Sequence, residues 1–184
     1  MNNFEYDVII IGGGTAGLGA YRTIKAMGKK VLIIEKGEFV TTCANVGCMP
    51  SKLLIAAAEN MHEIKTSSQF GINVGNISVD SKKLLKRVRA ERDRFVGFVK
   101  SGADKIPEKD KVIGLAKFLD KNTIEVNHIK YTANAFVIAT GSRVSYLPVF
   151  SGLEDELLTN ESIFEIEDIP SSMAVFGAGV IGLE

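Results

Sequence analysis

The first hydrophobic block of the chain is nearly unbroken: Tyr6-Asp7-Val8-Ile9-Ile10-Ile11 carries a single charge near its start. A short run of this kind, rich in β-branched residues, predicts a strand covered on both faces, as in a parallel sheet. It runs directly into Gly12-Gly13-Gly14-Thr15-Ala16-Gly17. A helix is expected from there to about Met27, with Gly28 as its C-terminal stop. A second apolar run, Val31-Leu32-Ile33-Ile34, ends at Glu35. Strand, glycine turn, helix and strand in that order predict the opening of an α/β fold with a parallel sheet.

Beyond residue 50 the pattern changes period. Leu53-Leu54-Ile55-Ala56-Ala57-Ala58 predicts a helix. A longer one is expected from Ser81 to about Ile106, where Leu84, Leu85, Val88, Phe95, Val96, Val99 and Ala103 recur at helical spacing. Asp80 or Ser81 would cap it and Pro107 would end it. Three strand-like runs follow near 111–119, 123–126 and 129–132, with Asp120-Lys121-Asn122 as a turn between the first two. Phe136-Val137-Ile138-Ala139-Thr140-Gly141-Ser142 then predicts a returning buried strand ending in a small-residue turn, the place where open α/β sheets bind ligands. Residues 143–172 are punctuated by Pro148, Ser151-Gly152 and Pro170-Ser171-Ser172 and are read as a linker. Met173-Ala174-Val175-Phe176 leads into Gly177-Ala178-Gly179-Val180-Ile181-Gly182, repeating the strand and glycine pattern of the start. The chain stops inside the helix that this repeat begins, so it is read as the N-terminal part of a longer protein.

Charge and composition narrow the functional classes. Lys and Arg together number 22, as do Asp and Glu, so net charge gives no mandate for nucleic acid. The basic residues Lys82, Lys83, Lys86, Arg87, Arg89, Arg92 and Arg94 are interleaved with Glu91 and Asp93 and lack an aromatic stacking platform. A solvated helix face is the expected reading. No apolar run approaches the roughly 20 residues of a membrane span. The first residues show no basic targeting region, and with only two cysteines a reducing, cytoplasmic setting is expected. No metal site is expected.

Those two cysteines carry most of the chemistry. They stand in Cys43-Ala-Asn-Val-Gly-Cys48-Met-Pro-Ser-Lys52. A bridge between them closes too short a loop to remove much unfolded-chain entropy, and in one regular helix the two side chains would point apart. Two thiols placed this way suit reversible opening and closing better than stapling. Pro50 fits only the first turn of a helix, which sets Cys48 at the helix start where N–H groups favour a thiolate. Lys52 adds a positive charge one turn on, and Gly47 leaves room beside the sulfur for a planar group. Two inert, buried thiols are the bland alternative. His62 and His128, the only histidines, sit in no catalytic pattern.

The first glycine cluster fits G-x-G-x-x-G with Gly12, Gly14 and Gly17 in register. Its glycines permit a tight turn and close approach of a pyrophosphate to a helix N-terminus, and Glu35 could bond a ribose hydroxyl. Gly177, Gly179 and Gly182 repeat the motif.

Taken together, GGGTAG, TTCANVGCMPSK, ATGS and FGAGVIGLE resemble the flavin-dependent pyridine nucleotide–disulfide oxidoreductases across essentially all 184 residues. The likeness is greatest to the dihydrolipoamide dehydrogenase branch, and Pro50-Ser51-Lys52 also resembles the mercuric reductases. The resemblance implies a Rossmann-like FAD-binding fold with a helical insert and an antiparallel β-meander over residues 1–147, a linker over 148–172, and the start of a second Rossmann-like fold over 173–184. It implies FAD on Gly12, Gly14, Gly17 and Glu35, with Thr42, Gly47 and Lys52 on the flavin side, Gly114 and Ala116 near the adenine end, and Thr140, Gly141 and Ser142 completing the site. Cys48 would face the flavin and Cys43 would exchange with substrate. Lys52 would pair with Glu184. NAD(H) would use the second glycine loop, Gly177, Gly179 and Gly182. Substrates would be a small disulfide or dithiol, or a protein-bound lipoyl group, and the longer protein would be a homodimer. The isolated 184 residues are expected to be inactive. A flavoenzyme without a working disulfide, or a non-catalytic FAD-binding interaction module, are the alternatives from other classes.

Overall fold

A computed structural model describes residues 4–184. The chain divides into two compact units, one of residues through Thr42 with Val96–Arg143, the other of Cys43–Phe95 with Val144–Glu184.

The first unit is built on a six-stranded sheet. The expected first strand is β1, Tyr6–Ile11, followed by helix α1, Thr15–Ala26, and β2, Val31–Glu35. Gly28 stands at φ +73°, a conformation that favours glycine, and its N–H donates to Lys25 O at 3.0 Å to close the helix. Four further strands follow: β3 (Lys111–Ile113), β4 (Lys117–Asp120), β5 (Thr123–Val126) and β6 (Ile129–Ile138). The order across the sheet is β3-β2-β1-β6-β5-β4. β3, β2, β1 and β6 run parallel, while β6-β5-β4 form the antiparallel meander.

Two strand boundaries differ from the sequence expectation. The run over 111–119 is two strands: β3 joins β2 in the parallel sheet, and only β4 belongs to the meander. The runs at 129–132 and from 136 are one strand. Its first half pairs antiparallel with β5, up to Thr132 against Thr123, and its second half parallel with β1, from Ala133 against Tyr6. The β5–β6 hairpin turns on Asn127 and His128, both at positive φ (51° and 66°), as a two-residue primed turn requires.

Ile10, Leu18, Tyr21, Val31, Ile33 and Phe39 make one buried cluster of this unit, with Ala103 and Ile106. Ile9, Leu32, Ile34, Ile124, Val126 and Ala133 fill the other. Burying four consecutive residues of β2, from Val31 to Ile34, explains why that strand is apolar without alternation. One buried charge accompanies this core. Asp110 Oδ2 accepts bonds from Tyr21 Oη at 3.0 Å and Lys25 Nζ at 2.6 Å, tying α1 to the turn before β3. Burial opposes its ionisation, but the Lys25 and Tyr21 hydrogen bonds outweigh that and hold the carboxyl below the usual aspartate range. Burial and the bond to Asp110 push the Tyr21 hydroxyl up to about 12.

The second unit holds helices α2 (Thr42–Val46, its first residue on the boundary) and α3 (Cys48–Thr66). It also holds most of α4, Ser81–Asp104, which crosses the division between the units. Asp80 is the α4 cap: its Oδ1 accepts from Lys83 N at 2.9 Å. The 143–172 segment makes contacts with α4. Phe164 is buried, Arg89 donates to the Phe164 and Ile166 carbonyls, Arg92 pairs with Glu165, and Ser81 pairs with Asp168. It is a strap fastened to α4. Among the described residues, no helix is long and apolar enough to cross a membrane.

Candidate functional site

The glycine loop between β1 and α1 separates what the protein needs for itself from what it leaves open. Gly12 has φ +110°, and a Cβ there would lie 2.1 Å from Ala139 O at the end of β6. A Cβ on Gly17 would lie 1.8 Å from Gly12 O. Both positions are therefore closed by backbone, and the turn can form only with glycine. Gly14 is different. Its φ of −80° and ψ of −163° suit any residue, and no atom lies within 4 Å of the Cβ position. It is the N-cap of α1, with no side-chain cap and no acidic residue in the first turn. With no side chain capping that turn and open space at the Gly14 Cβ position, its N–H groups fit the phosphate cradle implied for FAD.

Glu35 closes the loop from β2. Its Oε2 accepts from Gly13 N at 2.6 Å and its Oε1 from Gly37 N at 3.0 Å. Sequence reasoning assigned this carboxylate a ribose; the structure also gives it a clamp on the glycine turn. Thr140, Gly141 and Ser142 follow β6 as an exposed turn, with Gly141 at φ +69° and nothing within 4 Å of its Cβ position. Gly114 is accounted for by packing, since a Cβ would lie 2.5 Å from Val126 Cγ1 and 2.7 Å from Asn127 Oδ1. Ala116 packs against the second core cluster.

In the second unit the two cysteines sit on two helices. Cys43 is in α2, and Gly47 (φ −135°, ψ −128°) breaks the backbone before α3 begins at Cys48. The break removes the geometric objection to an i, i+5 pair and lets the two thiols hydrogen-bond. Pro50 is buried in the first turn of α3, as its missing N–H requires. The N–H groups of Cys48 and Met49, in the first turn of α3, act to lower the Cys43 thiol. The Cys43 thiol is nevertheless pushed up. The hydrogen bond with Cys48 raises it most, burial adds to this, and so does the Cys48 charge, against the two backbone N–H groups. Cys43 is half-buried and Cys48 exposed, both free thiols.

Lys52 Nζ pairs with Glu184, which Ser51 Oγ also meets at 2.8 Å. Ser51 Oγ lies 3.1 Å from Cys48 O as well. Sequence reading used Ser51 only as a branch marker, and its bridging position was not legible because it depends on a residue 133 positions away. Lys52 and Ser51 hold the Glu184 carboxyl below the usual range. Thr42 is exposed, and so are His62 and, at its hairpin tip, His128.

The second glycine loop reproduces the first within its own unit. Gly177 stands at φ +112°, Gly179 caps α5 (Val180–Leu183) with open space at its Cβ position, and a Cβ on Gly182 would lie 2.4 Å from Gly177 O. The residues before it, Met173–Phe176, are not hydrogen-bonded into a sheet among the described residues.

A dinucleotide-type glycine turn in each unit, with a thiol pair in the second, is the residue set of a nucleotide-dependent redox protein. The chain belongs to the pyridine nucleotide-disulphide oxidoreductase family, whose sequence model matches residues 6–184. Its similarity extends to the mercuric reductase of Lysinibacillus sphaericus, 39% identical over 100% of this chain and 34% of that protein. It is also similar to the dihydrolipoyl dehydrogenase of Mycoplasma genitalium (35% identical, 98% of this chain, 40% of that protein). A mitochondrial dihydrolipoyl dehydrogenase of Schizosaccharomyces pombe is 34% identical over 99% of this chain and 37% of its own length. The chain thus spans between about a third and two-fifths of these relatives.

Proposed function

We propose that this chain is the flavin- and disulfide-bearing part of an oxidoreductase that passes two electrons among a dithiol or disulfide substrate, the Cys43–Cys48 pair, FAD and NAD(H). The observation that carries this reading is the thiol corner. Gly47 breaks the helix so that Cys43 and Cys48 meet, and the pair gains nothing as a staple. The open Gly14 cradle supports FAD in the first unit, with Glu35 as the ribose partner, and the matching Gly177–Gly182 turn supports NAD(H). FAD, when bound, supplies a two-electron acceptor and donor.

The residues act as follows. A substrate dithiol attacks the Cys43 sulfur of the Cys43–Cys48 disulfide, one bond breaks and Cys48 leaves as thiolate. The second substrate thiol then attacks the mixed disulfide, releasing Cys43 and a substrate disulfide. Two electrons now reside on the cysteine pair, and the two protons released are held at sulfur or lost to water. The raised Cys43 thiol keeps its proton until a base removes it, while Lys52, fixed by Glu184, supplies positive charge near the start of α3. A dihydrolipoamide-like substrate, free or protein-bound, is the favoured partner. Mercuric ion reduction is the second reading, supported by the 39% identity to a mercuric reductase. The longer protein acts as a homodimer in the cytoplasm. The 184 residues alone do not turn over NADH with lipoamide, because the second glycine loop has no sheet behind it among the described residues.

Thiol counting tests the reading. Folded protein should titrate two thiols after mild dithiol and none after mild disulfide oxidant, reversibly and without added flavin. Two thiols that stay free and inert under oxidant would end it.

A further inference from the structure

The junction between α2 and α3 leaves one carbonyl to be met from elsewhere in the chain. Ser51 N donates to Gly47 O at 3.3 Å, the first i to i−4 bond of α3. Pro50 stands at the third position of α3, where an N–H has no intrahelical partner in any case, so its missing N–H costs nothing. Val46 is the last residue of α2, so its carbonyl is one that helix cannot satisfy. That carbonyl, midway along the segment joining the two cysteines, is met from the strap instead. Asn160 Nδ2 donates to Val46 O at 3.2 Å, in a partly buried position 114 residues away in sequence.

The strap holds Asn160 in place. Thr159 O accepts from Ile163 N at 2.8 Å and Thr159 N donates to Ser162 Oγ at 3.0 Å, making a compact turn around Asn160. The next turn is pinned by buried Phe164 and by the Arg92–Glu165 pair on α4.

We infer that Asn160 is a positioning residue for the redox corner: by taking up the Val46 carbonyl at the end of α2, it fixes the α2–α3 junction and so keeps the Cys43 and Cys48 sulfurs within bonding reach. This rests on the reading of Cys43 and Cys48 as a reversible pair. The balanced reaction is that of two protein thiols with one oxidised glutathione, giving the Cys43–Cys48 disulfide and two reduced glutathiones. Its equilibrium constant measures the effective concentration of one sulfur at the other. A lost tether allows the corner to splay and lowers that constant.

The experiment equilibrates the 184-residue chain with glutathione redox buffers and quantifies the disulfide by mass after acid quench, with a thermal melt of each variant alongside. Asn160→Ala and Asn160→Asp, which cannot donate to Val46 O when ionised, should each lower the ring-closure constant about two- to tenfold, the worth of one hydrogen bond. Glu165→Gln loosens the strap without touching Val46, and should lower the melting temperature while leaving the constant near that of the parent. An unchanged constant in both Asn160 variants, or an equal shift in Glu165→Gln, would each overturn the inference alone. A parent chain whose thiols never pair would overturn it together with the proposed function.

Discussion

Gly14→Ala and Gly17→Ala should separate ligand binding from folding, although both remove a glycine from one six-residue turn. At Gly17 the new Cβ would stand 1.8 Å from Gly12 O, roughly 1.5 Å inside a relaxed carbon–oxygen contact. Neither partner can rotate away, because one is the first turn of α1 and the other is a carbonyl of the same tight loop. Overpacking of this type costs at least about 1–3 kcal/mol, a large share of the roughly 5–15 kcal/mol that holds a domain folded. At Gly14 the backbone already suits alanine, and the Cβ position is empty. A smaller unfolded-state entropy favours the substitution by about 0.4–1 kcal/mol, and the poorer N-cap quality of alanine offsets it by a similar amount. Stability should therefore change by less than about 1 kcal/mol. The methyl group instead fills the space before the α1 N–H groups. Losing one or two charge-assisted bonds to a pyrophosphate, at about 1.5–3 kcal/mol each, weakens FAD by at least tenfold. Urea melts of the flavin-free proteins and quenching of FAD fluorescence on titration measure the two quantities. Equal melts for the two variants, or parental FAD affinity in Gly14→Ala, would refute the assignment.

Two further outcomes follow from the electrostatics. Cys48→Ala removes the hydrogen bond and the charge that raise the Cys43 thiol, leaving the N–H groups that lower it, so the pH at which Cys43 alkylates with iodoacetamide should move down; a profile unmoved or moved up would contradict the cause named. Asp110 has a depressed folded pKa, so its contribution to stability is complete above the unfolded aspartate value of about 3.9 and is lost as pH falls through the folded value. Asp110→Asn should cost about 1–3 kcal/mol at neutral pH by breaking the Lys25 bond, and should flatten the acid arm of the stability profile. An unaltered acid arm in pH-dependent melts would show that the group contributes nothing.

How much could be read from residues alone depended on the range of the interaction that decides each element. β1, β2, α1 and α4 follow from period and caps, since an unbroken apolar run or an i, i+3, i+4 stripe is a local signal. β6 was read as two strands because Thr132 and Asn134 interrupt its apolar pattern; it is continuous because its two halves pair with different neighbours, β5 and β1. The break between β3 and β4 rests on Gly114 N donating to Glu35 O and on Asn127 Nδ2 donating to Ile113 O, two contacts that no window of sequence contains. The strap is polar and proline-marked, and its fastening by Arg89, Arg92 and Phe164 rests on contacts distant in sequence. At the site, the roles of Gly12, Gly17 and Pro50 were legible because backbone restrictions belong to the residue type. The Ser51 bridge between Glu184 and Cys48 O was not, because it joins residues far apart in sequence.

If the cysteine pair and FAD accept electrons as one system, an anaerobic reductive titration of the FAD-reconstituted chain, following flavin absorbance against equivalents of reductant, should take up about four electrons per flavin in the parent, two on the disulfide and two on FAD, and about two in Cys43→Ser. Two electrons per flavin in the parent, with both cysteines already free and unresponsive, would contradict it.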